Sequence, residues 1–233
     1  MAKAAPRAPL PGPAFIRLLA RLTDASIAPS PLALADRLAD WIDWTRAVAV
    51  SKALDGRLPA IDPATDVDTS EAPDWERSRA GLASTCVGEL EAIVGRARAQ
   101  AAAAADDDTA TGTPDYAPFR QHYLAMQRAM RTATGDLRGR LRDLLAARPD
   151  AMARLAEVDA VMEATLSPRE QSLLNHVPNL LGLHFERLAS EAARASSDAW
   201  LELFRKDLQS VLLAELDIRF HPIQALSAAL RTR

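Results

Sequence analysis

Cysteine is almost missing from this chain of 233 residues. Cys86 stands alone, so no internal disulfide can form, and the natural home is a reducing cytosol. Long apolar runs are missing too. No stretch approaches the roughly 18 to 20 apolar residues of a membrane span, so direct membrane insertion is not expected. Residues 1–13 hold four prolines with Lys3 and Arg7 and no continuous apolar segment, which does not suit a signal peptide. Lysine occurs only at positions 3, 52 and 206, leaving 25 of 28 basic residues as arginine. A GC-rich genome produces that bias, and the planar guanidinium also suits carboxylates and phosphates.

Chemical signatures are equally scarce. There is no G-x-S-x-G, no phosphate-binding G-x-x-x-x-G-K-[ST], no H-E-x-x-H and no cysteine pair for zinc. The four histidines, His122, His176, His184 and His221, offer no i,i+4 metal pair. Cys86 lies in an apolar helical context and reads as a small core residue. No catalytic residue, metal or cofactor is therefore expected. Sequence alone does not exclude a dispersed acidic site of a metal-dependent nuclease or hydrolase.

What is present is helical periodicity. Nearly half the residues are apolar, enough for a real core. Phe15, Leu18, Leu19 and Leu22 predict a first helix ending by the Ala28-Pro29-Ser30-Pro31 turn. From Leu32 to Leu54, Leu34, Leu38, Trp41, Ile42, Thr45 and Val48 share one broad face, with Asp36, Asp40 and Asp43 opposite as a solvated or arginine-paired stripe. Residues 55–74 carry three prolines and six acids and read as an acidic, partly disordered linker. A helix over Trp75–Ala105 runs into Asp106, Asp107 and Asp108, where negative charge opposes the helix dipole.

Thr113-Pro114 resembles the start of a further helix, with Phe119, Tyr123, Met126, Met130, Leu137, Leu141 and Leu144 on one side. Gly135 threatens to kink it. Pro149 closes that pattern, a short amphipathic helix follows through Leu155, Val158, Val161 and Met162, and Ser167-Pro168-Arg169-Glu170 reads as a capping box opening another helix. Pro178 kinks or splits this helix, and Asp198–Phe220 forms the last and most deeply buried one. No segment shows the alternation of a half-buried strand. The expectation is an all-α, irregular multi-helix bundle of about seven to eight helices. Its parts are a Pro-rich tail (1–13), N-terminal helices (14–54), the linker (55–74), a helix (75–105), an acidic loop (106–114) and a C-terminal helical core (115–233).

Charge is segregated along the chain although the net is only -3. Residues 1–54 hold seven basic and four acidic side chains, 55–114 five and twelve, and 115–148 seven and three. Such alternation serves internal complementarity, homo-oligomeric assembly or an acidic partner. Arg120, Arg128, Arg131, Arg138 and Arg142 fall in a sector about 80° wide on the 115–148 helix, while Asp136 and Asp143 lie elsewhere. The stripe thus lacks neutralisation of its own. Its partners are either Asp36, Asp40 and Asp43 or the Asp106–Asp108 turn, within the molecule or across a dimer, or else a nucleic-acid backbone or other polyanion; a solvated face is the remaining reading. Asp159 and Glu163 share a face opposite the apolar one, as solvent-exposed acids would. Glu215 and Arg219, four apart among Phe204, Leu208 and Val211, predict a partly buried ion pair that fixes helix register or an interface.

Several strings carry a family resemblance. Leu18-Leu19-Ala20-Arg21-Leu22, Trp41-Ile42-Asp43-Trp44, Gln127-Arg128-Ala129-Met130, Leu155-Ala156 with Asp159-Ala160-Val161-Met162, and Leu212-Leu213-Ala214-Glu215-Leu216-Asp217-Ile218-Arg219 resemble a proteobacterial domain-of-unknown-function family. The resemblance covers most of the chain and is weakest over 55–114. Members are commonly encoded beside MotA/TolQ/ExbB-like proton-channel proteins and OmpA-like peptidoglycan-binding proteins, a neighbourhood similar to type III Zorya antiphage defence. The resemblance implies a non-enzymatic cytosolic accessory or adaptor protein, acting by protein-protein interaction and recruited to an inner-membrane complex of neighbouring defence components. It brings no catalytic residues. A DNA-binding effector using the arginine face is the alternative.

Overall fold

In the computed structural model, residues 13–25, 33–58, 72–105, 114–148, 150–195 and 199–232 are described. Among them the structure is all-α: α1 (Ala14–Leu22), α2 (Leu34–Trp41), α3 (Trp44–Asp55), α4 (Trp75–Ala105), α5 (Ala117–Ala146), α6 (Asp150–Leu174), α7 (Val177–Ala195) and α8 (Trp200–Arg231). The expected acidic linker falls largely, and the Asp106–Asp108 loop wholly, outside the described residues.

α4, α5 and α8 pack against one another at the centre. Each has an apolar stripe that the other two cover: Cys86, Leu90 and Val94 on α4, Phe119, Met130 and Leu141 on α5, and Phe204, Leu208, Leu212, Leu216 and Phe220 on α8, all buried. Each large side chain so enclosed contributes about 2 kcal/mol by leaving water. α1 and α7 close one flank. There Phe185 meets Phe204 edge-on, with ring centroids 4.9 Å apart, and Trp200 at 5.0 Å. On the other flank α6 lies between α5 and α3. The core therefore draws on α1 and α4 as well as on residues 115–233.

Several helix boundaries differ from expectation. The 32–54 segment is two helices because Asp43 turns from stripe member to cap: its carboxylate accepts from the Arg46 amide at 2.9 Å and starts α3. α1 ends at Leu22, where Thr23 bonds the Leu19 carbonyl at 2.9 Å and Asp24 takes a left-handed φ of 52°; the expected Ala28–Pro31 turn lies outside the described residues. α5 begins at Ala117 rather than Pro114, with the Asp115 carboxylate accepting from the Ala117 amide at 2.9 Å, and it continues through Gly135 without a break.

Proline is the recurrent surprise. The helix start expected at Pro168 is absent, since α6 runs straight through it, and α8 passes Pro222 to end at Arg231 instead of Phe220. An internal proline removes one backbone hydrogen bond. Pro168 and Ala164, whose carbonyl loses its donor, are both exposed, so water can take the vacated place. Beyond Pro222, buried Ile223 and Leu226 hold the last turns, and Ser227 accepts from the Trp75 indole at 3.1 Å. Pro178, by contrast, stands in the first turn of α7, where it needs no amide partner. The Tyr116 hydroxyl donates to its carbonyl at 2.5 Å.

Candidate functional site

The arginine sector of α5 divides into two parts. Arg138 and Arg142 turn toward α6. Arg138 grips Asp159 through Nε at 2.8 Å and Nη2 at 2.7 Å, and Arg142 reaches Asp159 at 3.4 Å and Glu163 more closely. The four side chains are 12–26% exposed. Asp159 and Glu163 are thus interhelical clamps, which corrects their reading as solvent-exposed acids. Periodicity placed them correctly on the side of α6 away from its own apolar residues, but that side faces α5. Burial opposes the charge on Arg138, but the Asp159 hydrogen bond and the surrounding carboxylates together outweigh it and hold the guanidinium more firmly protonated than usual. Among the described residues these acids, rather than Asp36, Asp40 or Asp43, partner the inner half of the sector; Asp106–Asp108 lies outside them.

Arg120, Arg128 and Arg131 remain exposed and have no ion-pair partner among the described residues. Arg128 and Arg131 overhang a groove between α5, α6 and α8. One part, a cleft of about 220 Å³, is lined by Arg128, Arg131, Arg219, Gln127, Gln171 and Asn175 beside Leu124, without a single carboxylate. It shares Arg131, Gln171 and Arg219 with a second cleft of about 360 Å³, which adds Thr134, Ser167, Glu170 and Glu163 and is edged by both helix-interior prolines. Arg120 lines neither.

Beneath the groove lies the Glu215 carboxylate, with no solvent exposure. Arg219 donates to it from Nη2 at 2.7 Å and Nε at 2.9 Å. Gln127 donates to both its oxygens at 3.1 Å and to the Leu174 carbonyl at 3.2 Å, and Tyr123 adds its hydroxyl. Burial first, and then the Glu215 charge, push the Tyr123 phenol well above its ordinary range, so it stays a donor. Arg219 also points Nη1 at Glu170, 3.4 Å away. Glu215 and Arg219 do share a turn of α8, as their spacing implied. Tyr123 and Gln127 were invisible to a reading of single helices, because the chain brings them from 92 and 88 residues away.

Cys86, His122 and His184 are likewise enclosed, whereas His176 and His221 are exposed. Burial pushes the Cys86 thiol up to about 11, which suppresses thiolate chemistry. His184 is held between Arg187, whose guanidinium can only donate to Nδ1 at 2.9 Å, and Asp207, which accepts from Nε2 at 2.8 Å. Arg187 also donates to the Leu22 carbonyl at 2.8 Å, so this buried histidine serves to fasten α1. His122 sets Nδ1 3.1 Å from Glu89 while its buried Nε2 has no partner. Neither groove cleft contains a histidine or cysteine. Among the described residues no group of three or more His, Cys, Asp or Glu side chains could hold a metal ion, and no helix is long and apolar enough to cross a membrane.

A family model matches residues 1–232. The chain belongs to the family described as "Protein of unknown function (DUF3348)". No curated protein and no solved structure matches it. Within this family member, the outer flank completes the candidate surfaces. Arg154 of α6 donates to the carbonyls of Ala53 at 3.1 Å, Leu54 at 2.7 Å and Gly56 at 3.1 Å, closing the C-terminus of α3. Arg169 stacks 4.7 Å over the Trp41 ring. Sequence reading missed both, as neither arginine belonged to a stripe. The α3–α6 layer is thin: Val48, Val50, Leu155, Val158 and Met162 are only half-buried, and Trp44 at the start of α3 is 83% exposed.

Proposed function

We propose that the chain is a non-enzymatic accessory protein that acts by binding another protein, with the α3–α6 flank as its contact surface. The observation that carries this reading is Trp44. An indole 83% exposed contributes little to the fold, and beside a half-buried apolar layer it has the character of an interface anchor. The enclosure of Glu215, His184 and Cys86 supports the same reading, since their interactions are spent on holding helices together.

The context is a proton-channel-linked antiphage defence system of the Zorya type, working from the cytosol beside an inner-membrane complex. The resemblance of the Trp41–Trp44 and Leu212–Arg219 strings supports it. The test is affinity capture from native cells expressing the neighbouring genes, with wild-type protein and Trp44→Ala. Capture of an envelope-complex component that is lost on Trp44→Ala is expected. Unchanged capture by the variant removes the proposed surface, and phage resistance that survives deletion of the gene removes the role.

A second reading, a DNA-binding effector, is favoured by Arg120, Arg128 and Arg131, which have no ion-pair partner among the described residues. The clamped Arg138 and Arg142 weaken it, because three free charges over about 16 Å of helix contact few phosphates. Retention on duplex DNA that falls steeply with salt would favour this reading.

A further inference from the structure

The acid-free cleft between α5, α6 and α8 has a charge balance that defines a ligand. Of its three arginines, Arg219 is neutralised by Glu215 beneath it, at 2.7 Å. Arg128 and Arg131 have no ion-pair partner among the described residues. They are three residues apart on one helix face and therefore converge on the same opening. Two uncompensated guanidinium groups, with the carboxamides of Gln171 and Asn175 opposite them, offer a fork of donors to a compact dianion. A phosphoryl monoester carries about -1.5 to -2 charges near neutrality and three acceptor oxygens, which matches.

The adjoining cleft constrains the rest of the molecule. Past Arg131 and Gln171 its lining changes to the Thr134 and Ser167 hydroxyls and the carboxylates of Glu170 and Glu163. Those acids repel a second anionic group and accept hydrogen bonds from hydroxyls. Glu163 and Arg138 are occupied with the α5–α6 clamp, whereas Glu170 is only loosely held, 3.4 Å from Arg219. We infer that the groove binds a phosphorylated polyol or sugar, with the phosphoryl group between Arg128 and Arg131 and the hydroxylated body toward Glu170. This site lies apart from the Trp44 surface, so its failure and that of the proposed partner contact are separately visible.

Isothermal titration of the full chain at moderate salt with a hexose monophosphate, inorganic phosphate and the free hexose tests this. Saturable binding of the hexose monophosphate is expected, about tenfold tighter than phosphate, with none of the unphosphorylated sugar. Arg128→Ala and Arg131→Ala, both at exposed positions, should each weaken it about tenfold or more, whereas Arg120→Ala on the same helix leaves it unchanged. Glu170→Gln should remove the preference for the sugar phosphate over phosphate. Several results overturn the inference. One is absence of binding by either phosphate compound; another is an equal loss with Arg120→Ala, which marks a diffuse field. Retention of duplex DNA without saturable uptake of the sugar phosphate also overturns it, in favour of a polyanion surface.

Discussion

The hydroxyl of Tyr123 on α5 donates to the carboxylate of Glu215 on α8, joining the two central helices through an acid that water does not reach. Gln127 and Arg219 complete its coordination. The resulting quartet is satisfied as a whole, and its members lose partners together.

Glu215→Ala orphans the Tyr123 phenol and strips the Arg219 guanidinium and the Gln127 carboxamide of their shared acceptor inside the bundle, so the expected loss is about 3–5 kcal/mol. Replacing Glu215 and Arg219 together with apolar residues of similar volume should cost less, because no ion is left buried. Adding Tyr123→Phe to that double variant should recover more stability, since it removes an orphaned hydroxyl. Urea unfolding followed by circular dichroism measures all three. Equal losses for the single and double variants would show that the ion pair is not the costly element.

The Arg138–Asp159 fork fastens α6 to α5. A double-mutant cycle of Arg138→Ala and Asp159→Ala should return a coupling of about 0.5–3 kcal/mol, larger than an exposed ion pair gives, since both side chains are at most 15% exposed. Additivity within error would mean that the fork is geometrically present but energetically idle.

Arg154→Ala removes three capping bonds from the end of α3 and touches little of the central core. Hydrogen exchange over residues 44–55 should quicken by about 30-fold, corresponding to about 2 kcal/mol of local stability, while α5 and α8 keep their protection. Uniform loss of protection would place α3 within the main cooperative unit instead.

Alkaline pH should destabilise the fold through Cys86 and Tyr123. The thiol rises from an ordinary 9.0 to about 11 in the folded chain, so above pH 9 the unfolded chain releases its proton first. Fewer protons on the unfolded state make stability fall with rising pH, and the Cys86 contribution is fully present below pH 9 and lost by about 11. Tyr123 acts in the same direction above its ordinary 10.0. Cys86→Ala should flatten the stability profile between pH 9 and 11, and thiol-reactive dyes should label the native protein only under unfolding conditions.

Helical periodicity made the class of fold legible, since Phe119, Tyr123, Met130 and Leu141 mark the buried side of α5 without reference to any other helix. Glu215 and Arg219 were legible for the same reason: their four-residue spacing lies within one turn. Relations between helices were not. Asp159 and Glu163 are polar residues opposite an apolar stripe, a pattern that water and a facing arginine pair explain equally well until α5 is placed. Proline misled most. Pro168 and Pro222 carry the local marks of helix ends, yet each removes a single hydrogen bond on a helix whose flanking turns are held by tertiary contacts. The groove is illegible for a similar reason, because Arg128, Gln171 and Arg219 come from three helices.

The sequence distance across the Glu215 quartet governs how the chain is made. α5 leaves a ribosome long before α8, so Tyr123 and Gln127 emerge without the acceptor that will satisfy them, 92 and 88 residues ahead of it. Until α8 arrives, the partly made protein has a wet seam where its finished form has a sealed one. A chain stopped short of Glu215 should then be cut along α5 faster than the full chain, which limited proteolysis measures.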